Sequence, residues 1–422
     1  MRNFLSAITN IKFLKQYQGL PRSIYMIVIA RFFNSMGYFV YPFMTLFLTT
    51  QFNYTTDQVG TYILILSLAF IPGAFIGSRI ADKFNRKLTY VTITLLADFF
   101  FIIAGFFYTQ EWVLIVLVVA FFFHNSANPV LTSMAMDLTT PLNRQESFSL
   151  MSIGLNLGFA MGPSMASLLF ENHTAWLFWG QALLNLLGMS IIFFTIKDTH
   201  LSEQQIKDLE KEGRAAEAGS SEGFLKIIFK HPLVLAFVAA AAAIAFMYAQ
   251  FFYMMPLNLK DLFGTSDGAS YYSTVCLING LGIVVLAPFI VMATKKFNPL
   301  FNLTVAAALY GIGFGLNGIA KQPWMFMVFA LIWTTGEVLV TANISVFLAN
   351  HSPVTHRARF QSLYDITHAL GRAIGPKVLG TYLLVHTFSD AWSMITFIGL
   401  GTCLWFLVLG LIETRQLKKA NK

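Results

Sequence analysis

Charge is scarce in this sequence. Asp, Glu, Lys and Arg make up only 11% of its 422 residues, where a soluble chain carries roughly 25%. So little charge cannot cover a water-facing surface, which excludes a soluble globular fold. Cysteine is scarcer still: Cys276 and Cys403 are the two in the chain, and both lie in apolar runs. They cannot build a disulfide framework or a Cys-rich metal site. Catalytic signatures are lacking as well, with no HExxH, no Walker loop and no Ser-His-Asp element, so an enzyme is not expected. The low hydrophobicity that disorder requires is also missing.

Apolar residues fill the chain instead. They make up 56% of it, with 43 Phe, and the mean hydropathy is +0.64. Such a chain is solvated by lipid. A membrane span needs about 20 mostly apolar residues, and with short connections about twelve spans fit this length. The pattern predicts them over 24–50, 57–81, 88–109, 112–137, 146–170, 174–196, 232–257, 268–293, 299–320, 323–349, 360–385 and 389–412.

The net charge of +8 does not point to nucleic acid. The basic residues sit at the ends of apolar segments rather than in one stripe, where they set topology. With the N-terminus in the cytosol, Arg22, Lys83, Arg86, Lys87, Arg144, Lys295, Lys296, Arg357, Arg359 and the basic tail 413–422 all face inward. Only Lys260 and Lys321 fall in outside loops. Both termini are therefore expected in the cytosol of a multi-pass plasma-membrane protein, the inner membrane of a bacterium. Residues 1–21 mix Arg2, Lys12 and Lys15 with Phe4, Leu5, Ile8, Ile11 and Leu14, which suits an amphipathic segment on the membrane surface. No apolar core with a small-residue cleavage site follows, so this is not read as a signal peptide.

The polar stretch 197–231 separates two sets of six spans and reads as a cytosolic linker. Ser202 and Gln205 form a capping box that predicts a short helix over 203–217. The two sets repeat one another. An offset of 213 residues lays Arg144, Ser149, Leu150, Ile153, Leu157, Gly158, Gly162 and Pro163 on Arg357, Ser362, Leu363, Ile366, Leu370, Gly371, Gly375 and Pro376. The same offset lays Lys83-Phe84-Asn85 on Lys296-Phe297-Asn298. The expected fold is all-α and membrane-integral. It has an N-terminal bundle over 22–196 and a C-terminal bundle over 232–412, related by a pseudo-twofold axis along the membrane normal, with a site between the halves.

After span two the chain reads Gly77-Ser78-Arg79-Ile80-Ala81-Asp82-Lys83-Phe84-Asn85-Arg86-Lys87. This resembles the signature loop of the major facilitator superfamily, at the same place in the topology. Asn85 stands where that loop has its second Gly, and Asn tolerates the left-handed backbone better than most residues. The resemblance implies a cytosolic gate in which Asp82 meets the start of span eleven near Arg359, with Arg86 paired to Asp137. Span five carries Gly154, Gly158 and Gly162 on one face, small residues that permit close helix approach, and then Pro163, which kinks the helix. This resembles the Gly-x-x-x-Gly-Pro element of proton-exchanging exporters, the drug:proton antiporter branch; Gly371, Gly375 and Pro376 are its repeat partners.

Ionisable groups inside spans are costly in lipid and face a bundle interior or a water-filled cavity. They are Arg31, Asp98, His124, Glu337, Asp365, His368, Arg372 and Lys377. The repeat lays Glu337 on His124, both mid-membrane. Gly336-Glu337-Val338-Leu339 resembles the Gly-Glu element in span ten of drug–proton antiporters, which implies that Glu337 carries the coupling proton. His124 titrates in the useful range and serves as relay or substrate contact, and a structural hydrogen-bonded role is the competing reading. Arg31 cannot lose its charge and needs a carboxylate, such as Asp98, or an anionic substrate. His124 and Asn125 occupy the place of the Arg usual in span four of proton antiporters, with Arg31 as its possible substitute. Asp365, His368 and Arg372 share one face of span eleven, Asp365 within reach of His368, while Lys377 snorkels outward. Aromatic residues such as Tyr41 and Phe252, with Met neighbours, suit amphipathic ligands.

These readings converge on a proton-coupled secondary transporter working by alternating access, an exporter of amphipathic compounds or drugs. The rivals are a proton-coupled importer of a small anionic or zwitterionic solute such as a peptide, and an uncoupled lipid flippase. The expected partners are a small-molecule substrate and the lipid bilayer, with the chain a monomer and protons as the coupling ion in place of any cofactor or metal.

Overall fold

The computed structural model describes residues 17–140, 143–197, 232–351 and 357–420. Most of the 1–21 segment and the helix expected over 203–217 lie outside the described residues. All regular structure among the described residues is helical. Ten stretches are long and apolar enough to cross a membrane: Arg22–Gln51, Arg86–Phe106, Val113–Asp137, Arg144–Phe170, Ala175–Thr195, Pro232–Phe263, Thr265–Thr294, Pro299–Ile319, Pro323–Leu348 and Phe388–Gln416. Two further long helices, Thr56–Lys83 and Arg357–Tyr382, carry more polar residues and take the second and eleventh places. The chain is thus a twelve-helix membrane protein, and the spans are numbered one to twelve in chain order.

The contacts divide the chain into two compact units. One holds the described residues up to Val40 and those from Pro72 to Lys197; the other holds Tyr41–Ile71 and the described residues from Pro232 onward. The divisions fall at weak points of the helices. Span one breaks between Met36 and Val40, and Pro72 lies inside span two, where it removes a backbone donor. The break in span one frees the Val40 amide, which donates to Gln181 Oε1 at 3.0 Å. Buried backbone donors in a membrane must find such a partner. Span seven breaks at Tyr253, between Pro232–Phe252 and Met254–Phe263, and the repeat offset lays Tyr253 on Val40. The first span of each repeat is discontinuous at the same register.

The repeat is also visible in packing. A Cβ on Gly158 would sit 2.3 Å from the Phe32 carbonyl oxygen, and one on Gly162 2.6 Å from that of Met36. Span five therefore lies directly on span one in the first unit. A Cβ on Gly371 would meet the Ala242 carbonyl oxygen at 2.3 Å, and one on Gly375 that of Phe246 at 3.0 Å. Span eleven lies on span seven in the same way in the second unit. Gly158→Ala is expected to destabilise the protein by about 1–3 kcal/mol, the range for overpacking, seen as a lower thermal midpoint in detergent. Gly401→Ala is the control, since a Cβ there meets nothing within 4 Å.

Asn85 and its repeat partner Asn298 play a different part from the left-handed turn expected of Asn85. Asn85 has φ −50° and its side chain accepts from Leu88 N, capping span three. Asn298 has φ −60° and accepts from Leu300 N, capping span nine. An N-cap oxygen satisfies one of the free amides of a helix start, so this use of Asn needs no left-handed backbone. Gly264, between spans seven and eight, does have φ +83°, a conformation open to Gly at little cost. Asn298 also donates to Glu413 at 2.6 Å, and His351 Nε2 lies 2.8 Å from the other oxygen of that carboxylate. This ties spans nine, ten and twelve at one end of the second unit.

Candidate functional site

The richest polar cluster within the apolar spans lies in the second unit. Glu337 comes from the middle of span ten. One carboxylate oxygen accepts from Asn279 Nδ2 at 2.7 Å, and the same amide donates to Thr334 at 3.1 Å. Asn279 is a lone amide in an otherwise apolar part of span eight, and it is buried. Tyr248 from span seven and Arg372 from span eleven lie close to the Glu337 carboxyl. Arg372 stands over two rings, 5.9 Å from the centroid of Tyr248 and 5.8 Å from that of Phe252. Cation–π contacts of this kind hold a guanidinium in an apolar place. Tyr41 closes the group with its ring 5.4 Å from that of Phe252. Behind the cluster Trp333 stacks on Phe314 and meets Phe251 at a tilt, with ring centroids 4.9 Å apart in each pair. Four spans thus place one acid, one fixed cation and several aromatic faces together, beside the break in span seven. Discontinuous helices expose backbone groups that sites use.

The rest of the span-eleven face is divided among different partners. Asp365 accepts from Gln361 at 2.9 Å, on its own helix, and the His368 ring lies 5.4 Å from Tyr364. The Asp365–His368 hydrogen bond expected from spacing is therefore replaced by local contacts, because each side chain has a nearer partner one turn back. Lys377 does not snorkel freely. It donates to Asp57 at 2.5 Å, and Thr381 donates to the same oxygen at 2.5 Å. Asp57 lies in the first turn of span two. Close by, Thr56 donates to the Gly380 carbonyl at 2.9 Å and accepts from Tyr253 at its own carbonyl at 2.6 Å.

In the first unit, Arg31 donates to Thr132 at 2.8 Å. Its expected partner Asp98 is engaged elsewhere, accepting from Asn185 at 3.0 Å. The His124 ring lies in an aromatic box, stacked on Tyr38 at 6.3 Å with Phe101 at 6.0 Å and Phe121 at 6.3 Å edge-on. Asn125 donates to the Phe121 carbonyl of its own helix at 2.8 Å. Arg86 forms an ion pair with Asp137 and donates to the Ser133 carbonyl at 3.4 Å. The side chains of Asp82 and Arg359 lie outside the described residues. Among the described residues no group of three or more His, Cys, Asp or Glu side chains is placed to hold a metal ion.

Sequence reasoning missed Asn279 and Asp57. The first could have been noticed as an amide inside an apolar run. The second had no signal, since its partner lies 320 positions away.

Comparison with known proteins bears on this geometry. Residues 27–376 match the sequence profile of the Major Facilitator Superfamily. An antiporter of Na+, Li+ and K+ against H+ from Planococcus maritimus is 22% identical over 89% of this chain and 92% of its own length. The MFS-type transporter YhjO of Bacillus subtilis is 25% identical over 94% of this chain and 96% of its own. Among solved structures, a variant of the peptide transporter POT bound to alafosfalin superposes with a TM-score of 0.73 at 15% identity, over 94% of this chain and 95% of the other. The POT family transporter PepTSo gives 0.72 at 13% identity, over 94% and 99%. At these identities the structural likeness is one of fold.

Proposed function

This chain belongs to the Major Facilitator Superfamily and is a multi-pass membrane transporter, and we propose that it is a proton-coupled antiporter that exports amphipathic compounds by alternating access. The observation that carries the reading is the Glu337 cluster. A carboxylate mid-membrane is costly unless protonated or neutralised by a partner. Asn279 stabilises the ionised form with one neutral hydrogen bond, and the fixed charge of Arg372 helps from beyond Tyr248. A proton and a cationic or polar substrate then compete for one carboxylate, which is the requirement for exchange. The aromatic rings of Tyr41, Tyr248 and Phe252 offer the apolar body of a substrate its surface. The P. maritimus relative, an antiporter against protons, supports exchange over co-transport.

Topology is part of the proposal. The positive ends of the spans support a reading with both termini in the cytosol of a bacterial plasma membrane, which puts Asp57 and Lys377 at the outer ends of spans two and eleven. The loop after span two, with Asp82 and the Arg86–Asp137 pair, then serves the cytosolic gate together with Arg359. Asp82→Asn is expected to slow transport and to widen the cytosolic mouth in spin-label distance distributions. Unchanged distances with normal transport would remove the gate role.

The deciding experiment is transport by purified protein in vesicles under an imposed pH gradient. Uptake of an amphipathic cation into inverted vesicles with an acidic lumen supports the antiporter. Accumulation down the proton gradient points to the importer, and transport indifferent to the gradient to a flippase.

A further inference from the structure

A second buried acid, outside the Glu337 cluster, is left with an unbalanced set of hydrogen-bonding groups. Asp98 lies in span three and is 1% exposed; Asn185 lies in span six and is also 1% exposed. The Asn185 amide donates to Asp98 Oδ1 at 3.0 Å. The other two oxygens of the pair, Asp98 Oδ2 and Asn185 Oδ1, are both buried and have no hydrogen-bond partner among the described residues. Buried polar atoms without partners are rare and call for a cause. An ionised Asp98 cannot supply one, because a carboxylate only accepts. The pair then holds three acceptor oxygens and one engaged donor.

The neighbours do not correct the balance. Tyr90, two turns back on the same span, takes a hydrogen bond at its hydroxyl from Asn34 of span one at 2.9 Å. Arg31 of span one donates to Thr132 of span four. His124 of span four stands against Phe101 rather than the carboxyl. Among the described residues the ion pairs are Arg86–Asp137, His351–Glu413 and Lys377–Asp57, and none involves Asp98.

We infer that Asp98 is a proton-binding site, loaded in this structure, whose Oδ2–H donates to the Asn185 carbonyl while the Asn185 amide donates back to Oδ1. One proton supplies the missing donor and removes the buried charge together. The acid and amide then hold spans three and six by two hydrogen bonds. Release of the proton leaves the carboxylate in a seam without a cation, so the proton leaves only when water enters between these spans. The first unit therefore carries a titratable seam of its own, independent of the role proposed for Glu337.

The test is infrared difference spectroscopy of the purified protein in nanodiscs, alkaline minus neutral, in a Glu337→Gln background. That background removes Glu337, so the outcome does not depend on what Glu337 does, and the comparison with Asp98→Asn separates the Asp98 band from that of Asp365. A carboxylic-acid carbonyl band is expected in Glu337→Gln and should be absent from Glu337→Gln with Asp98→Asn, where an amide keeps the shape. Asn185→Ala in the same background should move the band, because the acid loses its acceptor. Identical acid bands with and without Asp98→Asn would overturn the assignment, as would a band that Asn185→Ala leaves unmoved. A carboxylate band that appears only with Na+, and not with a large organic cation, would also overturn it, in favour of an alkali ion at the same oxygens.

Discussion

Glu337→Gln protein in vesicles is expected to bind neutral substrate and to lose transport driven by a pH gradient. Gln keeps the shape of the acid and can still take the hydrogen bond that Asn279 gives at 2.7 Å. It mimics the protonated form and cannot release a proton. In the proposed cycle, the ionised carboxylate is tolerated only while substrate or water neutralises it. An unpaired charge in an apolar site costs several kcal/mol. About 3 kcal/mol is a factor of more than 100 in population, and this bias selects which side opens. Gradient-driven flux should therefore fall by roughly 100-fold on that arithmetic. Exchange of substrate across the membrane without a gradient should survive. His124→Asn should act more mildly, because the imidazole lies in an aromatic box and is a relay at most. Pumping by Glu337→Gln at the wild-type rate would sink the assignment and move attention to Asp365 and His368.

Reversal of one charge in the Asp57–Lys377 pair should come next in size. Lys377 and Asp57 are half-exposed, with side chains 36% and 28% accessible. Solvent screening limits such a pair to about 1 kcal/mol or less. Asp57→Lys removes that attraction, sets two cations face to face, and takes the acceptor from Thr381 as well. The contact between spans two and eleven then holds less well. Substrate transport should fall roughly tenfold, equivalent to about 1.4 kcal/mol. Asp57→Lys combined with Lys377→Asp restores the pair in reverse and should recover most of the loss. Recovery separates a latch from a merely local defect. A double variant no better than the single one would mean that the pair does not govern opening.

Several features were legible because they are one-dimensional. Span lengths follow from apolar runs, and the repeat follows from matching residues at one offset. The Gly158 and Gly371 contacts show why the repeat persists. Each Gly lets a helix meet a neighbouring carbonyl within a distance no Cβ allows, so the same small residue is needed twice. Glu337 was legible as an acid in lipid. Its tolerance there depends on Asn279, which is 58 positions away and reaches it only through the packing of spans eight and ten.

The sequence by itself determined the membrane class, the twelve spans, the doubled architecture and the short roll of ionisable groups inside the spans. All of these depend on composition along one chain direction, because lipid admits only long apolar helices. Tertiary structure alone decided who meets whom. Asp365, His368 and Arg372 share a helix face by spacing, yet one bonds a residue a turn away, one packs on a tyrosine and one stands over rings from span seven. Lys377 found Asp57, and Asp98 found Asn185 instead of Arg31. Helical spacing limits the direction of a side chain to a face. Which partner waits there is set by the rotation and depth of the neighbouring helices, and those are fixed only when close-packed glycines and buried rings lock the spans together.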